Sequence, residues 1–468
     1  MDSNPEEERE QNWLSACVER FEHMLSNDDQ YYFDVSDLED LIEHYMSCIE
    51  FDKAWKVLEL AEVQHPHSSE FELKRAEILS LKGEHERAME SVKLLESIMP
   101  NNPDMLIVKA EILGRMNDHE GAIVALKHAL EHVEETAEVR LLLSYEYDAL
   151  QRRDEAINQL KMGLKEHPEE SGLLYELSFL YDVSGRIQEA IDYLNGYLDD
   201  NPYQYNGWYN LSTFYVRQKD FDRAIWALEL CLAVKEDHIL AHQELGDCYL
   251  EVENWDKAEE HFNEVLIIDP DNPDAKVGIA ECSEGRGDFD LAFDRYKEIT
   301  KVDEHNAESW YGMAVVREKQ ERYDECLPFI EKAIELDSTD AEYWNFLADL
   351  KEHAGDFDAA ADAFDKAIEL NPEDIRFWVS KSQLCFYQID AELGIETLMS
   401  AIKVMPDNAE LHYRVAAFML ASAQSVEALN NLQNGLELDY TKHLLLFDEF
   451  PGAVNIPRVM DLIQIYGQ

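Results

Sequence analysis

The chain has 468 residues and carries 100 acidic side chains against 40 basic ones, a formal net charge of −60. At 46% hydrophobic it holds enough apolar surface to fold, which a disordered polyelectrolyte does not. So acidic a chain lacks the clustered Lys and Arg that nucleic acid or an anionic membrane surface requires, and neither is an expected direct partner.

In chain order, the opening MDSNPEEERE has no basic start followed by an apolar run, so it is not a secretory signal. No stretch reaches the roughly 18 apolar residues of a membrane-spanning helix. The seven cysteines (Cys17, Cys48, Cys231, Cys248, Cys282, Cys326, Cys385) contain no CxxC pair and read as buried thiols of a reducing compartment. The expectation is a soluble cytoplasmic protein. Trp13, Cys17, Phe21 and Met24 stand at helical spacing, so residues 1–34 are read as an acidic segment containing a capping helix.

From Val35 the sequence repeats every 34 residues. The twentieth residue of each block is Ala in ten of twelve blocks, from Ala54 to Ala428, with Cys326 and Gly394 as the exceptions. The eighth runs Ile42, Ala76, Ala110, Ser144, Ser178, Ser212, Gly246, Ala280, Ala314, Ala348, Ser382, Ala416. Two columns of mostly small residues imply two helices that cross closely in every block. Position 24 is apolar throughout, including Leu58, Phe262, Tyr296 and Phe364. Turn-like strings such as Gly287-Asp288 and Gly355-Asp356 separate the helices, Gly supplying a left-handed residue at the helix end. Pro at position 32 in seven blocks, Pro66 to Pro406, is expected to stop the second helix.

This pattern resembles the tetratricopeptide repeat family, whose W-x2-L-G-x2-Y…A-x3-F signature is matched in part by Trp208-Leu211-Tyr215-Ala224 and by Leu245-Gly246-Tyr249-Ala258-Phe262-Pro270. The resemblance spans residues 35–442 as twelve repeats and implies an all-α, right-handed superhelical solenoid. Beyond Lys442 the register decays through HLLLFDEFPGAVN into an amphipathic segment, Ile456 to Tyr466, with Pro457 placed for a first helical turn. Residues 443–468 are read as a C-terminal capping region.

Catalytic chemistry is not expected. There is no phosphate loop, nucleophile elbow or zinc signature. His128 and His132, one turn apart on a second helix, and His65-Pro66-His67 read as solvated histidines. Neither a metal nor a cofactor is expected, and the chain is not read as an enzyme.

In the family the first helix of each repeat lines the concave surface, mainly through positions 2, 5, 9 and 12. Here those 48 positions hold 19 Asp or Glu and one basic residue, Arg376. Position 2 is ambiguous, because acids favour helix starts for their own reasons. Repeats one to three offer Glu39, Glu43, Glu77 and Glu111. Repeats four to six offer Tyr145, Tyr175, Phe179 and Tyr209, while Trp208, Tyr181 and Tyr215 fall in the family's core columns. Repeats seven to ten return to acid with Asp247, Glu281, Glu284, Glu318, Asp349 and Glu352, and the last two repeats turn apolar with Val379, Phe386, Tyr413 and Leu420. The family's chaperone-tail clamp needs Lys at position 5 and Asn at position 9; no repeat has either, so that role is disfavoured. The implied function is a scaffold or adaptor whose acidic, aromatic-containing groove binds a basic or amphipathic segment of a protein partner, in the manner of a chaperone or assembly factor. The alternative is an acidic nucleic-acid mimic that occupies another protein's DNA- or RNA-binding surface.

Overall fold

A computed structural model describes residues 5–27, 30–66 and 68–467. The first four residues of the acidic opening and His67 lie outside them. Among the described residues the chain is all-α. It divides into two compact units, Met1–Glu236 and Asp237–Gln468.

Twelve helix pairs run from Val35 to Leu438. In the first ten repeats and the twelfth, the first helix is 13 residues long, as in Val35–Ser47 and Ala409–Ala421. The small columns sit where the helices meet. Every position-20 residue is buried, as is every position-8 residue except the half-buried Ser178. Position 24 fills the space between them; Leu58, Phe262, Tyr296 and Phe364 are each 2% exposed or less.

The joint between paired helices shows what the composition concealed. Position 15 is left-handed in eleven repeats, but only Gly83, Gly185, Gly287 and Gly355 are glycine. Ile49, Asn117, Gln151, Lys219, Glu253, Glu321 and Ala423 adopt the same conformation, with φ between 55° and 63°. The amides that follow return to the preceding helix, as Glu50 N to Tyr45 O at 2.8 Å, so the hairpin geometry overrides residue preference. Ile49 is β-branched and 75% exposed, so it carries this conformation with little packing in return. Ile49→Gly should therefore stabilise the first repeat by about 1 kcal/mol, read as a higher urea midpoint at unchanged slope.

Proline is not what stops the second helices. They end at position 30 in eleven repeats, including Phe221–Val234, Phe289–Val302 and Ser425–Leu438, where position 32 is Glu236, Glu304 and Tyr440. The shared feature is instead a last backbone bond from position 31 to position 27, as Lys235 N to Cys231 O at 2.9 Å, and several repeats also bond the carbonyl at position 32. Trp208, Trp310, Trp344 and Trp378 each donate their indole N–H to it, to Pro202, Glu304, Ser338 and Pro372, at 2.9–3.0 Å. Trp208 is thus structural, as its column implied. In repeat twelve His412 takes that place, with Nε2 3.3 Å from Pro406 O. Pro328 does alter a helix: in repeat nine the first turn is 3-10, Tyr323–Glu325, and the α-helix starts only at Leu327.

Several sequence expectations are corrected. In the N-terminal helix Pro5–Asn27, Cys17 and Phe21 are buried against the first repeat, but Trp13 is 56% exposed and donates to Asp37 Oδ1 at 3.1 Å. Cys48 is exposed, whereas the other six thiols are buried. His132 lies beyond the helix His119–Leu130 rather than on it. No helix among the described residues is long and apolar enough to cross a membrane.

Candidate functional site

Within the second unit, the first helices of repeats seven to ten are Ile239–Glu251, Pro273–Gly285, Ala307–Lys319 and Ala341–His353. Each buries one face, through Leu245, Val277, Met313 and Phe346 among others. The opposite faces share a cavity of about 620 Å³ lined by Glu251, Glu281, Glu284, Glu308, Tyr311 and Glu342, with residues of neighbouring turns. Tyr296 reaches in from a second helix and donates its hydroxyl to Glu284 Oε2 at 3.3 Å.

The carboxylates here are crowded and largely uncompensated. Glu281 is half-buried, and desolvation together with Glu308, Glu284 and Asp247 pushes its pKa up to about 8. Asp247 is solvent-exposed. Desolvation and then Glu244, Glu308 and Asp274 raise it to about 7. Asp349, likewise exposed, reaches about 7 through desolvation, Glu352, Glu318 and Glu342. Glu284 and Glu352 are raised chiefly by desolvation. Among the described residues, Asp247, Glu281, Glu308 and Asp349 have no ion-pair partner. Arg376, the one basic groove position, is taken up by Glu342 and Asp374.

Of the six acidic residues singled out from the sequence in these repeats, Glu281 and Glu284 line the cavity; Asp247 is an electrostatic neighbour of Glu281, and Glu318, Asp349 and Glu352 form a second group near Glu342. Glu308 and Glu342 belong with them. Both are position-2 residues, which helix-start preference alone explains in sequence, and only the cavity shows them facing their neighbours. Tyr311 stacks obliquely on Tyr343 at 4.9 Å and adds an aromatic wall that the acid count overlooks.

In repeats one to three, Glu39, Glu77 and Glu111 are also raised by desolvation, but have cations among them. They line a cavity of about 510 Å³ in the first unit, but Lys74 lies between Glu43 and Glu77, 3.0 Å from each, and Arg115 neighbours Glu111. Lys74 is at position 6 and Arg115 at position 13, outside the four positions counted from sequence. That wall is partly compensated, with two cations among six lining carboxylates.

In repeats four to six, also in the first unit, Tyr145, Tyr175 and Phe179 are 45, 68 and 47% exposed, while Tyr209 is half-buried. Tyr175 and Phe179 stand one turn apart on Ser171–Val183. Tyr181 and Tyr215, by contrast, are core residues at 1 and 3% exposure. In repeat twelve Tyr413 and Leu420 are not open to a groove at all; both are buried.

The pairing of helices in tandem defines an array of helical hairpins. Family models described as tetratricopeptide repeat match residues 141–205, 215–277, 283–350 and 341–374. Tetratricopeptide repeats therefore occur within residues 141–374, and repeats of this kind serve in general as protein-interaction scaffolds. Its structure is similar to that of yeast Tom70, at 15% identity over 91% of this chain and 98% of that one, TM-score 0.49. It is also similar to a tetratricopeptide repeat protein from Parabacteroides merdae, at 19% identity over 53% and 98%, TM-score 0.47. The hetero-tetramer Cut9–Hcn1 of the APC/C matches at 14% identity over 98% and 94%, TM-score 0.38. No curated protein sequence matches the chain.

Proposed function

We propose that the wall formed by repeats seven to ten holds a Lys/Arg-rich segment of a partner protein. The observation behind this reading is the set of carboxylates without ion-pair partners at Asp247, Glu281 and Glu308, and at Asp349 beside Glu318 and Glu352, which desolvation first and neighbouring carboxylates second hold above their ordinary pKa values. A cationic segment lying among them would relieve that repulsion and be steered there by the field of the chain. The exposed Tyr145, Tyr175 and Phe179, with Tyr209, form a separate surface in the first unit for apolar anchors, where tyrosine offers contact area and a hydroxyl at small entropic cost.

The test is affinity capture at low salt with three baits: wild type, Glu281→Lys/Asp349→Lys, and Tyr175→Ala/Phe179→Ala/Tyr209→Ala. A basic protein should bind wild type, elute as salt rises, and be lost from the charge-reversed bait. The aromatic triple variant should retain it with faster release. The same partners on wild-type and charge-reversed baits would reject the acidic wall as the binding surface.

A further inference from the structure

The first helix of repeat twelve, Ala409–Ala421, has its inner wall covered by the chain itself. Tyr413, Ala417 and Leu420, at positions 5, 9 and 12, are 0, 0 and 7% exposed. In none of the other eleven repeats are all three positions buried. The cover is the segment 443–456, a five-residue helix Leu445–Glu449 and a 3-10 turn Pro451–Asn455. Leu446 and Ala453 are fully buried in the same apolar cluster as Tyr413 and Leu420, with Phe447 and Phe450 packed against it. Glu449 is the polar pin. It pairs with Arg414 and accepts from Gln383 Nε2 at 2.8 Å, so the segment reaches position 9 of repeat eleven as well. The backbone hydrogen bonds of the segment are local, such as Phe450 N to Leu446 O and Ala453 N to Phe450 O. It is held on the wall by side chains, as a bound peptide would be.

The repeats beneath are chemically unlike the acidic wall. Their positions 5, 9 and 12 contain no carboxylate. Repeat eleven also replaces the left-handed joint with a π-helical turn, Cys385–Ile389, that stacks Phe386 on Phe418 at 4.1 Å. This end of the array therefore suits apolar side chains around a single acidic group, the reverse of the charge sought by repeats seven to ten.

We propose that the inner wall of repeats eleven and twelve is a second docking site, for an apolar helical turn bearing one carboxylate, and that residues 443–456 occupy it in cis as an exchangeable latch. A partner segment of the pattern set by Leu446, Phe447, Glu449 and Phe450 would compete for it. The inference is independent of the acidic wall, and each can fail without the other.

The probe is a labelled synthetic peptide of residues 443–456, titrated by fluorescence anisotropy into the full chain. It should bind the latch-weakened variant Leu446→Ala/Glu449→Ala at least about tenfold more tightly than wild type, and a Glu449→Lys peptide should lose that binding. In wild type, hydrogen exchange should show amides of 445–455 opening at least about tenfold more often than those of Ala409–Ala421. No peptide binding to a variant whose Ala409–Ala421 helix stays protected would overturn the proposal, as would joint exchange of latch and helix in wild type. The exchange measurement decides the matter even if the variant does not fold.

Discussion

Gly278→Ala should destabilise the second unit, whereas Gly196→Ala in the first should stabilise its own. Phe262, 1% exposed, lies between two glycines, Gly246 and Gly278, from the first helices of repeats seven and eight. A Cβ built on either would stand closer than 3.0 Å to the ring. With both sides occupied, the ring has no direction in which to yield. A mid-helix Gly→Ala change ordinarily gains up to about 1 kcal/mol. Here overpacking of about 1–3 kcal/mol opposes it, so the net effect should be a loss. Gly196 also lies inside a helix, Ile187–Asp200, but nothing lies within 4 Å of its Cβ position, so the propensity gain should appear there undiminished. Urea melts of the two variants should shift in opposite directions. Phe262→Leu should recover part of the Gly278→Ala loss, because the two residues share one space and their effects are not additive. Equal shifts at both glycines would show that the packing around Phe262 is not the cause.

The second large effect is a dependence of stability on pH that runs opposite to acid denaturation. Folding raises Asp247 and Asp349 from 3.8 to about 7 and Glu281 from 4.5 to about 8. Between pH 4 and 8 the folded state therefore binds more protons than the unfolded one, and stability falls as pH rises through that window. The contribution is fully present below the unfolded pKa and is lost above the folded one. The second unit should melt higher at pH 6 than at pH 8. Glu281→Gln should remove part of this slope. After allowance for solvent screening, it should add about 1 kcal/mol at pH 8, about 2–4 °C in Tm, and almost nothing at pH 5. A melt that is flat between pH 6 and 8 would show that the wall relaxes its charges by other means. The same linkage bears on the proposed partner. A cationic segment would favour the ionised carboxylates, so binding at pH 6 should release protons and tighten toward pH 8.

These two predictions depend on different kinds of information. The small-residue columns, the close crossing of paired helices and the packing role of Trp208 are legible in the sequence, because the same contact recurs every 34 residues. Left-handed joints at Gly287 and Gly355 are equally legible, whereas those at Ile49 and Lys219 are not. Hairpin closure imposes that conformation regardless of the residue present. The acidic wall is legible in part. Asp247, Glu281 and Asp349 follow from their positions, whereas Glu308 reads equally as a helix-start acid. Lys74, which pairs with Glu77, falls outside the groove columns and is not legible there.

By itself, then, the sequence determined the helical-hairpin repeat and the excess of negative charge, since both are properties that sum or recur along the chain. Tertiary structure decided which of two helical glycines is indispensable, which carboxylates lack a counter-charge and which wall is already occupied. Each of these depends on side chains from different turns or repeats meeting in space: Phe262 between Gly246 and Gly278, Glu281 beside Asp247 and Glu308, Glu449 against Gln383. Periodicity averages over such meetings, because it records what all repeats share, and function is placed by what one repeat does differently from its neighbours.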